Sequence, residues 1–367
     1  MAYITINRCI LLSLLLLAAS CKSRSDAKKI ALDFWNTDAQ GSAARTALSD
    51  KVMQLTYIGC GGFLLQTDGQ AILIDPYFSN ADVFRHPLRP LVSDTTLIDS
   101  FFQKHLSHPV DTAKKIQTIL ISHSHHDHLG DLPAILRRNL AENKLQIVGN
   151  QGVRQMIEAN DLLRSQLSFI PIDSLTKITP TKSFTFETSN QRLRITAVVS
   201  EHAPHVFGFK APGIGGKITS KNPSKTFFGY KEGATYNFMI DFLNEKGQVA
   251  YRIFSSAGAA ANAPTGIPSD ELLQQHGVDL LLLCAASYTQ VKGYPDSLIR
   301  LLHPKAVLLA HWEDFFTPIP KLLQKPRTVP MTDIPAFVKI VKQLMAQSHI
   351  EGRPILLHPL SSIEFRF

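Results

Sequence analysis

The stretch Ser122-His123-Ser124-His125-His126-Asp127-His128-Leu129-Gly130-Asp131 decides how this chain is read. It follows a short β-branched apolar run, residues 116–121, that reads as a buried strand. It precedes Leu132-Pro133-Ala134-Ile135-Leu136, which opens a helix with Asp131 as its cap. The imidazoles and the carboxylate therefore lie on a strand-to-helix turn, where rigid elements on both sides hold side chains in place. Four imidazoles and a carboxylate in six residues repel one another when protonated and are costly to bury unpaired when neutral. A divalent cation removes both problems. In the spacing His123-x-His125-x-Asp127-His128, alternate residues of a tight turn converge on one point and their neighbours on a second. Nitrogen ligands with one hard oxygen suit zinc, with iron and manganese as alternatives. A solvated histidine-rich turn is the competing explanation, but it requires neither the embedded aspartate nor the flanking strand and helix.

The H-x-H-x-D-H arrangement resembles the signature of the metallo-β-lactamase superfamily, and the resemblance runs from about residue 52 to the end of the chain. Within it, Tyr57-Ile58-Gly59-Cys60-Gly61-Gly62-Phe63-Leu64-Leu65, Ile72-Leu73-Ile74-Asp75-Pro76 and His311-Trp312 look most like the branch containing ascorbate-phosphate lactonases and N-acylphosphatidylethanolamine phospholipase D. The resemblance implies an α/β fold, an αββα sandwich with metal ligands gathered at one edge from both halves. It implies that His123, His125 and His202 hold one metal and that Asp127, His128 and His311 hold a second. Zinc, as one ion or two, is the expected cofactor. The implied reaction is hydrolysis of an ester, lactone, amide or phosphodiester bond by a metal-activated water, with Asp127 as ligand and proton acceptor. His202 is preferred to His205 because it follows directly on a strand expected at 193–199. Asp75 is expected beneath the metal cluster, orienting a ligand, with an ordinary turn role as the alternative.

One position departs from the family. The superfamily places a Gly-Asp pair, whose carboxylate bridges two metals, at the end of the strand expected at 248–255; the alignment puts Ala257 there. A methyl in place of a carboxylate removes a ligand and a negative charge, so a second metal should bind more weakly. A non-catalytic metal- or ligand-binding protein on the same scaffold is therefore the rival reading. Survival of the six other ligand positions favours the enzyme.

The rest of the chain sets bounds. With 367 residues and 44% apolar content it can bury one large core or two moderate ones. The apolar run at residues 9–19 is too short to span a bilayer comfortably. It ends in Leu17-Ala18-Ala19-Ser20-Cys21, which resembles a bacterial lipobox. The expectation is a lipoprotein signal at 1–20, a lipid-anchored Cys21 in the bacterial cell envelope, a tether with a short helix at 21–51, and a catalytic domain at 52–367. An ordinary secretory signal and an uncleaved anchor are the alternatives. Losing residues 1–20 removes one arginine and no acid, so the formal charge falls from +8 to +7. Lysines and arginines do not cluster with aromatics, so the expected partner is an anionic small-molecule or lipid-like substrate, not nucleic acid. Cys60 and Cys284 are expected as two buried free thiols, with a disulfide between them as the alternative.

Closely spaced strands are expected at 52–58, 63–66 and 71–75, followed by an insertion at 77–115 whose histidines His86, His105 and His108 read as surface or rim residues. Strands at 145–149, 193–199, 235–242, 248–255, 278–284 and 305–310 alternate with helices at 153–158, 268–276, 295–302 and 332–347, and a closing strand is expected at 355–358. His276 and His303 fall at helix ends, where the dipole accounts for them. The Gly- and Lys-rich loop at 204–234, leaving directly from His202, is a candidate lid, with Phe209, Lys210 and Lys217 as substrate contacts, and a solvated surface loop is the alternative.

Overall fold

The computed structural model describes residues 52–367 apart from 68–69, 84, 107–115, 139–144, 163–166, 176–182, 189–190, 205–213, 218–224 and 259–264. The expected signal, tether and lipid anchor at Cys21 lie outside the described residues, as do His108, His205, Phe209 and Lys210.

The chain begins with β1 (Val52–Gly59), β2 (Gly62–Thr67) and β3 (Gln70–Ile74), an antiparallel meander turned at Gly59-Cys60-Gly61. β4 (Ile116–Leu120), β5 (Leu145–Gly149) and β6 (Leu167–Pro171) then add in parallel. Parallel neighbours need crossovers, and the helices Thr95–Leu106, Leu132–Leu136 and Gln151–Glu158 supply them. The second sheet holds β7 (Ser183–Glu187), β8 (Leu193–Ser200), β9 (Thr235–Leu243) and β10 (Val249–Ser256), all antiparallel. It continues in parallel through β11 (Leu280–Cys284), β12 (Ala306–Ala310) and β13 (Ile355–Leu356). The chain closes with β14 (Ser361–Arg366), which returns to the first sheet and pairs antiparallel with β1. Each sheet has seven strands.

Strand alternation builds the layers. Phe63, Leu65, Ile72, Ile74, Leu120 and Val148 face the core shared with the second sheet. Their neighbours Leu64, Leu73, Ile119 and Ile147 point the other way, onto the helices Thr95–Leu106 and Gln151–Glu158. The second sheet is covered in turn by Asp296–Leu302 and Ile334–Gln347, whose Leu298, Ile299, Phe337 and Val341 join the same core. The result is the expected αββα sandwich. Among the described residues no helix is long and apolar enough to cross a membrane.

Three expectations need correcting. Asp131 caps no backbone N–H of the following helix. Its carboxylate instead accepts from Phe78 N–H (2.7 Å), Ser79 N–H (2.9 Å) and the Ser79 hydroxyl (2.7 Å), tying the segment after β3 to the motif. The insertion at 77–115 contains a helix, Thr95–Leu106, and while His86 is exposed on its surface, His105 is half-buried with its ring 4.5 Å from Phe101. His276 Nε2 lies 2.7 Å from Asp279 Oδ2, so a hydrogen bond to a carboxylate and not only a helix dipole accounts for it.

Asp279 belongs to a buried polar network at the end of β10 remote from the motif. Arg252, wholly buried, makes two bonds to Asp241 (2.6 and 2.9 Å), and its backbone N–H donates to Asp279 (2.7 Å). Removing one partner strands the other charge, so Arg252→Ala should cost about 3–5 kcal/mol in urea unfolding; a loss under about 1 kcal/mol would show the pair to be dispensable. Burial pushes His105 down to about 4. The fold therefore favours its neutral form, and the stability it contributes is complete above about 6.5 and lost as pH falls towards about 4. His105→Leu should flatten the melting temperature across that window relative to the parent protein.

Candidate metal centre

Every residue implicated from the sequence as a ligand falls at the end of a strand on one edge of the sandwich. The turn after β4 carries His123, His125, Asp127 and His128, the end of β8 leads to His202, and the end of β12 to His311. They form two groups.

The first is His123, His125 and His202, with ring centres 4.6–4.7 Å apart. Their outer partners dictate which nitrogens carry protons. The Ser122 hydroxyl donates to Asp75 Oδ2 (2.6 Å), so His123 Nδ1, 3.0 Å from that hydroxyl, must donate to it. His125 Nε2 faces the Ile214 carbonyl (3.3 Å) and His202 Nδ1 faces the Ala203 carbonyl (2.6 Å), so both donate outward. With those nitrogens donating outward, His123 Nε2 and His125 Nδ1 meet lone pair to lone pair 3.0 Å apart. Lone pairs so placed repel unless a cation lies between them. Burial, then the neighbouring imidazoles, hold His123 well below the usual histidine range, which is the neutral form that ligates. The donor set fits zinc, iron or manganese.

The second group is Asp127, His128 and His311, joined by a residue the sequence reading left as a core thiol, Cys60. Asp127 Oδ2 is 3.3 Å from His311 Nε2 and 3.4 Å from His128 Nε2, and Cys60 Sγ lies 3.4 Å from the same oxygen and 3.2 Å from His311 Nε2. Burial opposes charge on His128, but Asp127 and Asp75 overcome it and raise the imidazole to about 10. A proton thus does in the bare protein what a cation would do. Burial likewise raises Asp127, but His128 and His126 outweigh it and hold the carboxyl well below the carboxylate range. Burial, then Asp127 and Glu313, push the Cys60 thiol well up. Among the described residues, Cys60 and Cys284 are both free thiols.

Asp75 serves both groups. Its carboxylate accepts the Ser122 N–H (2.7 Å) and hydroxyl, and Oδ2 is 3.1 Å from His128 Nδ1, though poorly aligned for a hydrogen bond. On the opposite side Glu313, fully buried, accepts from the Tyr57 hydroxyl and the Cys60 N–H. The His311 N–H reaches both the Cys60 carbonyl (2.7 Å) and the Tyr57 oxygen (3.0 Å). Three non-glycine residues here have left-handed backbone: Cys60 (φ 55°), Asp75 (φ 40°) and His311 (φ 58°). Such strain persists only where the surroundings over-determine it.

The remaining positions bear on access. His126 belongs to neither group, being packed against Tyr77, Phe227 and Phe316. Part of the 204–234 loop is described: Ile214 touches His125, Glu232 and Gly233 hydrogen-bond back to Ile214 and Gly216, and Lys217 is exposed beside them. Gly233 (φ 70°) leaves no room for a side chain, since a Cβ would lie 2.5 Å from Asn150 Nδ2. Ala257 is fully buried, and a Cβ on the next residue, Gly258, would collide with the Ser122 hydroxyl and Asp75.

Residues 70–228 match the model of the beta-lactamase superfamily domain. A metal-dependent hydrolase of Aeropyrum pernix is 31% identical over 86 residues, 23% of this chain and 26% of that protein. One from Ignicoccus hospitalis is 36% identical over 90 residues, 24% of this chain and 30% of that protein. The chain thus spans less than a third of the length of these relatives. Among solved structures, the metallo hydrolase Igni18 of Ignicoccus hospitalis is 18% identical, with a TM-score of 0.48 over 86% of this chain and 99% of its own.

Asp75→Asn keeps a residue that tolerates the left-handed turn but removes the charge that orients His123 and His128. Metal affinity should fall about 10–100-fold, read by competition with a chromophoric chelator; unchanged affinity would leave Asp75 a turn residue.

Proposed function

We propose that the protein is a metal-dependent hydrolase of the metallo-β-lactamase fold, acting on an ester, lactone, amide or phosphodiester bond. The observation that carries the reading is the inward convergence of three imidazoles, His123, His125 and His202, with His123 held in its neutral form by burial, beside the carboxylate of Asp127. A divalent cation held there supplies Lewis acidity, polarising a carbonyl or phosphoryl oxygen and acidifying water.

The chain's own groups do the rest. Asp127 is the only carboxylate among the seven converging side chains. Its Oδ2 is engaged by His128, His311 and Cys60, while Oδ1 meets only the edge of His126 at 3.5 Å. Oδ1 is therefore the atom available to take a proton from water. Asp75, through Ser122, keeps the His123 lone pair turned inward, so the site needs no rearrangement to ligate. Lys217, exposed on the segment that touches His125, offers a cation to an anionic substrate group, and the net positive charge works in the same sense. Substrates of this reading are small anionic or lipid-like molecules, met at the cell envelope if Cys21 is lipidated.

A second reading, a metal- or ligand-binding protein without turnover, is favoured by Ala257, which supplies no carboxylate between the two groups. One experiment separates them. The metal-loaded protein should hydrolyse at least one of a phosphodiester, a lactone and a β-lactam reporter, and replacing His123 and His125 together by alanine should abolish both bound metal and turnover. Metal uptake without turnover on any reporter would favour the binder, and turnover that survives the double replacement would reject the mechanism.

A further inference from the structure

We propose that Cys60 is a metal ligand. With Asp127, His128 and His311 it makes the second group a closed, four-ligand thiolate site for a thiophilic divalent ion such as zinc, and this leaves the open coordination position to His123, His125 and His202. The inference rests on the hydrolase reading above and specifies how the two groups divide the work.

Geometry is the first argument. Metal–ligand bonds of about 2.0–2.3 Å to nitrogen, oxygen and sulfur put the corners of a tetrahedron about 3.3–3.8 Å apart. Four separations within the group are Sγ–Oδ2 3.4 Å, Sγ–Nε2 of His311 3.2 Å, Oδ2–Nε2 of His311 3.3 Å and Oδ2–Nε2 of His128 3.4 Å. Three of these fall in that range and the Sγ–Nε2 separation just below it, and all four donor atoms lie within 4.8 Å of one another. Three of them without the thiol would leave an incomplete shell.

Charge is the second. Asp127 and a Cys60 thiolate carry two negative charges against two neutral imidazoles, which balances a dication. Ala257 contributes only a methyl, and the turn that carries the thiol closes over that position. A Cβ on Gly61 would lie 2.8 Å from His128 Cε1 and 3.1 Å from the Ala257 carbonyl. The anionic ligand absent from the end of β10 is thereby replaced from the turn between β1 and β2. When the ion enters, the thiol proton and the proton on His128 leave to solvent.

The backbone is the third. Cys60 is the non-glycine in Gly59-Cys60-Gly61-Gly62, held at φ 55° where glycine would be unstrained. Glu313 and Tyr57 grip its N–H and carbonyl, so the strain is maintained from outside the turn. The other buried thiol makes a natural control: Cys284 meets only the Ala286 carbonyl, at 3.8 Å, and joins neither group.

A closed four-ligand shell holds its ion in place, whereas three ligands with a free fourth position admit water or substrate. The thiolate also sets preference, favouring zinc, cobalt or cadmium over manganese and magnesium.

Cobalt(II) titrated into the metal-stripped full-length protein tests this by absorption. The expected result is uptake at two sites, with one of them raising a thiolate-to-cobalt charge-transfer band in the near ultraviolet. Cys60→Ala and the closer-shaped Cys60→Ser should both lose the band and weaken that site by more than about 100-fold, beyond what outer partners alone cost. Cys284→Ala should keep it, and manganese should fill only the other site. Cobalt binding without the band, or a band that persists in Cys60→Ala, would overturn the thiolate site and leave the hydrolase reading standing. Failure of the parent protein to take up cobalt would overturn both.

Discussion

The two sheets are joined at their working edge by one buried carboxylate. Glu313 follows β12 of the second sheet, yet its oxygens are spent on the Tyr57 hydroxyl and the Cys60 N–H, which belong to the first turn of the other sheet. His311, two residues before it, adds a backbone bond across the same seam. Burying a carboxylate is costly unless it is fully bonded, and burial pushes Glu313 up from its ordinary range. The arrangement is tolerable only with all partners in place, so it fixes the relative position of the sheets to within hydrogen-bond tolerance. The donor atoms of the second group come from both sides of the seam and inherit that tolerance.

Around this joint the chemistry is governed by crowding. Five imidazoles converge in two neighbouring groups, and the rings of His123 and His128, one from each, are only 4.1 Å apart. All five cannot be charged together, and the surroundings sort them: His123 is held neutral, while His128 is held protonated between two carboxylates. Asp75 reaches His123 through Ser122 and His128 directly, so one carboxylate beneath the turn shapes both environments.

Much of this could be read from the sequence, and what could not has a common physical cause. Interior strands such as β4, β5, β9 and β12 are buried on both faces, so their apolar runs announce them within a residue or two. The strands left unread, β6, β7 and β14, all lie at sheet edges, where one side faces no partner and the apolar pattern thins. Even so, the alternation Ile363-Glu364-Phe365-Arg366, with Ile363 and Phe365 buried, was a usable signal for β14. The helix Thr95–Leu106 lies in the insertion at 77–115, where the sequence reading places no element. At the site, local spacing identified the motif turn, and strand ends pointed to His202 and His311. Cys60 escaped because a cysteine among apolar residues reads as core. Its clue was conformational: a side chain placed where the turn calls for glycine. Glu313 escaped because its partners lie some 250 positions away, and no local pattern records such a bond.

The register of β1 has a practical corollary. Val52 pairs with Arg366 at one end of the strand, and Cys60 follows Gly59 at the other. Eight residues of extended chain separate the two ends by about 25 Å, so the point where earlier residues join the body and the point where Phe367 leaves it are neighbours on the side remote from the donor atoms. A purification handle, a fluorescent fusion or a surface linkage attached after Phe367 therefore starts from the side of the molecule remote from the donor atoms.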